Sequence, residues 1–96
     1  MAKPFDWNLE KNLLLQQERD VSFEEVVTAV DEGRVVDDAP HPNAKLHPNQ
    51  RMMVVIIEDY CYLVPYVEDE EKRFLKTIIP SRRATKKYLI HVKEEL

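Results

Sequence analysis

Eight cations fall within residues 72–93, and no Asp or Glu interrupts them: Lys72, Arg73, Lys76, Arg82, Arg83, Lys86, Lys87 and Lys93. A cluster of this kind suits phosphate, which responds to the local field more than to a protein's total charge. Arg82 has the most favourable position in it, just after Pro80 and Ser81 at the start of a predicted helix. The N–H groups of a helix start favour anions, and a guanidinium can hold two phosphate oxygens at once. The remainder is acidic: residues 1–71 carry six Lys or Arg against 16 Asp or Glu, and Glu94 and Glu95 bring the chain to −4. That total counts against strong general binding of nucleic acid, whereas the local cluster keeps phosphate chemistry open.

Other chemistry-bearing residues read mostly as structure. His41 and His47 with Asp37 and Asp38 match no standard zinc spacing, so no metal is expected. The absence of a Gly-rich phosphate loop speaks against a nucleotide cofactor, and no cofactor of any kind is expected. Cys61 is a lone cysteine without an activating histidine motif, which reads as a small buried apolar residue in a reducing compartment. Tyr60, Tyr62 and Tyr66 alternate onto one face of a strand, as half-buried core or as a contact surface. Trp7 reads as a packing anchor. Arg83 stands beside both Lys86 and Lys87 on a helix, a like-charge arrangement that an RNA or an acidic partner would relieve.

The elements that must position these groups are short. Ninety-six residues with 44% apolar and 33% charged composition make one globular domain, residues 1–96. Residues 1–7 lack the apolar stretch of a signal peptide and no run approaches the ~20 residues that span a bilayer, so a cytoplasmic protein without membrane contact is expected. Asp6 or Asn8 can cap a first helix reaching to about Arg19, with Leu9, Leu13 and Leu14 as its apolar positions. Ser22 and Glu25 form a capping-box pair opening a second helix from about Phe23 to Glu32, ended by Gly33. Val35 and Val36 predict a very short strand, and residues 39–50, with Pro40, Pro42, Pro48 and two His-Pro-Asn triplets, predict a loop. Strands follow over 52–57, 60–67 and 74–79, with tight turns at 58–59 and 68–71. Pro65, lacking an N–H, belongs at an edge or bulge. A helix begins near Ala84. The expected class is α+β: two N-terminal helices, a three- to four-stranded antiparallel sheet and a C-terminal helix.

Three stretches, Phe5-Asp6-Trp7-Asn8-Leu9-Glu10-Lys11-Asn12, Val21-Ser22-Phe23-Glu24-Glu25-Val26 and Ser81-Arg82-Arg83-Ala84-Thr85-Lys86-Lys87, together resemble the BrnT-type toxins of bacterial type II toxin–antitoxin systems in order and spacing. The similarity spans about residues 5–88. It implies a RelE-like fold and an endoribonuclease that cuts cellular RNA without a metal. It also implies a cognate antitoxin of the ribbon-helix-helix type, operator DNA bound through that antitoxin, and a heterotetramer of the two. Metal-free cleavage uses the adjacent 2′-hydroxyl as nucleophile and needs cations around the phosphorane, a base and an acid. On this reading Arg82 acts with Arg51 and Lys76 on the phosphate, His91 or Tyr88 transfers protons, and Lys11, Arg83, Lys86 and Lys87 bind the RNA.

The chain departs from the family pattern at two points. Glu18-Arg19-Asp20 stands where Lys-His-Gly is usual, and the turn Glu68-Asp69-Glu70-Glu71 stands where an arginine is usual. These departures support a second reading, a catalytically degenerate module with this fold that acts through partner binding and operon autoregulation. A third reading is a chain that binds nucleic acid on its own basic face without cutting it.

Overall fold

The computed structural model describes residues 3–90, and the local signals in the sequence account for most of its elements. Strand β1 (Phe5–Trp7) leads into helix α1 (Leu9–Arg19) and helix α2 (Phe23–Asp31), followed by strands β2 (Val35–Pro40), β3 (Gln50–Ile57), β4 (Tyr60–Glu68), β5 (Arg73–Leu75) and β6 (Ile79–Pro80). Helix α3 (Arg82–Thr85) then runs on as a π-helical turn over Lys86–Ile90. Asn8 caps α1, its side chain accepting the Lys11 N–H at 2.9 Å, and the helix stops at Asp20 in the left-handed region, φ 56°. The Ser22–Glu25 capping box is complete. Gly33, φ 75°, ends the next helix as expected, with the Arg34 N–H returning to the Ala29 carbonyl at 2.8 Å. Glu58 and Asp59 both take positive φ, 50° and 62°, which is the two-residue hairpin turn whose twist matches its strands.

The sheet is larger than expected and mixed. Its six strands run β1-β5-β4-β3-β2, with β6 also paired to β4. The β1–β5 pair is parallel and the others antiparallel. Residues 5–7 read as the approach to a helix because three residues carry no period; what makes them a strand is β5, joined by the Arg73 N–H to the Pro4 carbonyl at 2.9 Å. The edge strand β2 continues through Asp37, Asp38 and Pro40, with a bulge after Val35 that absorbs the poor strand formers. The loop is correspondingly shorter, 41–49.

Pro65 explains why the single strand predicted over 74–79 is two short ones. Its carbonyl accepts the Lys76 N–H at 2.9 Å, so the side of β4 on which Pro65 lacks an N–H faces the incoming chain. Pairing therefore holds at Tyr66–Glu68 with β5, lapses, and resumes at Tyr62–Leu63 with β6.

Two cores sandwich the sheet. One face carries Met53, Val55, Ile57, Val64, Tyr66 and Leu75 against Leu15, Phe23, Val26 and Ala29 of the first two helices. Trp7 stacks on Phe23 there, ring centroids 5.7 Å apart. Asn12, buried in the same region, accepts the Phe23 N–H at 2.8 Å and donates to Glu24 at 2.7 Å, tying α1 to α2. The opposite face carries Val54, Cys61 and Leu63 against Ala84, Tyr88 and Leu89. Cys61 is fully buried, and burial pushes its thiol pKa up.

The apolar positions of α1 differ from expectation. Leu15 and Asn12 point inward, whereas Leu9, Leu13 and Leu14 are exposed, Leu9 by 75% and Leu13 by 60%. The helix is held by Asn12, Leu15 and Arg19, whose Nη1 donates to the Ile78 carbonyl at 2.6 Å. A leucine periodicity cannot distinguish that inward face from the one a residue away.

Candidate functional site

The end of the sheet that α3 leaves uncovered forms a cleft of about 300 Å³. Its floor is Met52, Pro65 and Val67, and Gln50, Arg51, Lys76 and His41 surround it. Register creates it: Met52 lies opposite Pro65, Gln50 opposite Val67, and Arg51 opposite both Tyr66 and Pro40. The Lys76 bond to Pro65 brings the lysine back over β4 after β5 ends, and the His41 N–H to the Gln50 carbonyl at 2.9 Å closes the loop side. Among the described residues no carboxylate pairs with Lys76.

A polar cluster fixes Arg51. The Tyr66 hydroxyl donates to Asp38 at 2.8 Å and accepts from Arg51 Nε at 3.1 Å; Arg51 and Asp38 form an ion pair at 3.4 Å. Burial and the hydrogen bond to Asp38 push the Tyr66 pKa up. Tyr66 therefore keeps its proton at neutral pH and serves as a hydrogen-bond relay. Arg51 is held still more firmly as a cation, first through its bond to Tyr66 and then through Asp38. Nε is committed to Tyr66 and Nη2 lies 3.5 Å from the Asp38 carbonyl, so Nη1 is the guanidinium nitrogen with no hydrogen bond among the described residues.

The His-Pro-Asn triplets turn out to organise the loop. The Asn43 N–H donates to His41 Nδ1 at 2.9 Å, the Asn43 side chain accepts from Leu46 at 3.4 Å, and its carbonyl accepts from His47 at 3.0 Å. The two imidazoles lie 4.3 Å apart. Because Nδ1 accepts, the neutral ring of His41 carries its proton on Nε2 and presents a donor. Among the described residues no three His, Cys, Asp or Glu side chains converge as metal ligands would.

The sequence-derived site residues fall into separate regions. Arg51 and Lys76 both line the cleft, although the register turns the Arg51 side chain, like Tyr66, to the face opposite Met52 and Pro65. Arg82, Arg83, Lys86 and Lys87 are exposed on α3 and its continuation, which meets β4 through the β6 pairing at Tyr62–Leu63. Tyr62 lies four residues, roughly 13 Å along the strand, from Tyr66. Arg82 is not among the residues that line the cleft. At the mouth of its helix the protein's own Ser81 is the N-cap and satisfies one of the free N–H groups, its Oγ accepting the Ala84 N–H at 3.0 Å. Thr85 Oγ1 accepts the Cys61 N–H at 2.9 Å and donates to the Ser81 carbonyl at 2.8 Å. Ser81, Ala84 and Thr85 of the third motif thus build a joint between helix and sheet, leaving its arginines facing outward. Tyr88 reaches Asp37 at 3.4 Å and packs on the second core. Lys11 belongs to α1, over the opposite face. His91 lies outside the described residues.

The acidic turn is also partly structural. Asp69 accepts the Glu71 and Lys72 N–H groups, both at 2.8 Å, and these bonds hold its carboxyl below the usual range. Lys72 bonds Asp6 at 3.1 Å, which lowers that carboxyl too, and Lys3 pairs with Glu68 at 3.5 Å. These contacts fasten β1 and β5 to β4. Both carboxyls titrate lower folded than unfolded, so their stabilisation is complete above the ordinary carboxylate pKa of ~4 and fades as pH falls through the folded values. Thermal melting should therefore drop between about pH 5 and pH 2, and Asp69→Asn should make that drop shallower.

Tyr66 and His41 also line the cleft, and neither is legible in the sequence as part of it. The parity of Tyr66 was visible, but its partner Asp38 becomes visible only with the β2 register. No family model matches the chain, and a search of curated proteins finds no match. No described helix is long and apolar enough to cross a membrane.

Proposed function

We propose that this chain is a RelE-like, metal-independent endoribonuclease, the toxin of a type II toxin–antitoxin module. The observation that carries the reading is a cleft lined by Lys76, His41 and Arg51. Lys76 neutralises the phosphorane as the 2′-oxygen attacks phosphorus, with Arg51 adding its field from beside Tyr66, and His41 Nε2–H donates to a phosphoryl oxygen. The bond to the 5′-oxygen breaks, leaving a 2′,3′-cyclic phosphate and a 5′-hydroxyl. Tyr66 keeps its proton and His41 acts as a donor, so proton transfer falls to water. The exposed Arg82, Arg83, Lys86 and Lys87 bind flanking RNA, and an acidic antitoxin covers the same face. A ribbon-helix-helix antitoxin then carries the pair, as a heterotetramer, to operator DNA.

Two observations favour the second reading, a degenerate module acting through partners. Asp38 already neutralises much of the Arg51 charge, and Leu9, Leu13 and Leu14 offer an apolar ridge for a partner. Expression of the chain alone from a tightly controlled promoter separates the two. The toxin reading expects growth arrest with fragmented RNA. Normal growth and intact RNA, with folded protein present, would instead establish the partner-binding module.

A further inference from the structure

We propose that Phe74 and Lys76 form a base-and-phosphate subsite for single-stranded RNA, continuous with the cleft. The proposal rests on the RNA reading above and goes further by assigning a stacking residue. Phe74 lies directly opposite Val67 in the β4–β5 ladder, so both project from the same face, and Val67 is part of the cleft floor. Lys76 is two residues on, hence on that face as well, about 7 Å further along. The Phe74 ring is half-buried and flanked by two ammonium groups, Lys76 Nζ at 5.6 Å and Lys72 Nζ at 5.9 Å from its centroid. Lys72 is anchored by Asp6, whereas Lys76 has no carboxylate partner among the described residues.

An aromatic ring between cations beside an apolar hollow is the combination that single strands use: a base stacks on the ring while the neighbouring phosphate meets the lysine. The cleft is at the small end of ligand sites, roughly 300–1,000 Å³, and takes one splayed nucleotide. A duplex, whose bases are stacked inside, has nothing to place there. Stacking tolerates any base, and the Gln50 amide at the rim, both donor and acceptor, is the group that would prefer one base edge over another. The strand runs from the cleft away from the tip carrying Glu70 and Glu71, whose charges repel phosphate.

The test is fluorescence anisotropy of the full chain with a short, labelled, 2′-O-methyl oligoribonucleotide, which binds but cannot be cut. Phe74→Leu keeps the apolar volume and removes the stacking surface; affinity should fall about tenfold, within the roughly 5- to 150-fold range of a lost base stack. Lys76→Ala should weaken binding and reduce the salt slope by about 0.7. Should Phe74→Leu fold poorly, Phe74→Trp provides the second readout, with retained affinity and indole fluorescence that changes on adding RNA. If Lys76→Ala weakens binding while Phe74→Leu binds like the parent, or the Phe74→Trp signal ignores RNA, the subsite is overturned and the RNA reading stands. If the parent chain binds no RNA, both fall together.

Discussion

Lys76→Ala is expected to lower the rate of the proposed RNA cleavage by about 100- to 1,000-fold, the usual loss when one preorganised group facing the developing phosphorane charge is removed. The lysine side chain has no ion-pair partner among the described residues, so its charge is available to substrate. Its backbone is set by the bond to Pro65 rather than by its side chain, so the truncation leaves the fold in place. Arg82→Ala, on the outer face of α3, should instead weaken RNA binding and flatten its salt dependence while changing the rate with saturating RNA only a few-fold. A single-turnover assay of the two variants beside the parent chain reads both effects. Equal rates for Lys76→Ala and parent would remove the cleft from the chemistry.

Phe23→Ala costs about 3–5 kcal/mol, the usual range for deleting a fully buried aromatic ring. Phe23 has no exposed surface and stacks on Trp7. Its N–H is held by the buried Asn12, so one position joins β1, α1 and α2. At 4–8 °C per kcal/mol for a domain of this size, melting should fall by at least about 12 °C, and the variant comes close to the whole stability of a typical small domain. Urea titration gives the value directly. A loss below about 1 kcal/mol would mean that the α1–α2 layer does not depend on this core.

These two residues also mark what the sequence makes legible. The Ser22–Glu25 box, Gly33 and the Glu58-Asp59 turn act within a few residues of themselves, so their structural consequences follow from local spacing. The strand β1 does not, since Phe5–Trp7 become a strand only by pairing with residues nearly 70 positions away. The divided third strand was half legible: Pro65 announced an interrupted edge, but which strand it interrupts depends on the path of residues 76–78. Leu9, Leu13 and Leu14 had helical spacing, yet the face that turns inward is set by the Asn12 clamp and the Arg19 contact with Ile78. Among the site residues, Arg51 and Lys76 stand out by type and strand position. That both line one cleft depends on the Met52–Pro65 register and the return of the chain after β5. Arg82 stands out by the anion affinity of a helix start, where Ser81 is already the N-cap. The Asp38–Tyr66–Arg51 cluster joins three strands and is invisible until all three are aligned.

The most direct measurement is the chemistry of the RNA ends produced by the purified chain in the presence of a metal chelator. Single-stranded RNA incubated with the parent chain should be cut to fragments ending in 2′,3′-cyclic phosphate and beginning with 5′-hydroxyl, and Lys76→Ala should leave the RNA nearly intact over the same period. RNA that stays whole with the folded parent chain, or is cut equally well by Lys76→Ala, would contradict the assignment of the cleft as a metal-independent ribonuclease site.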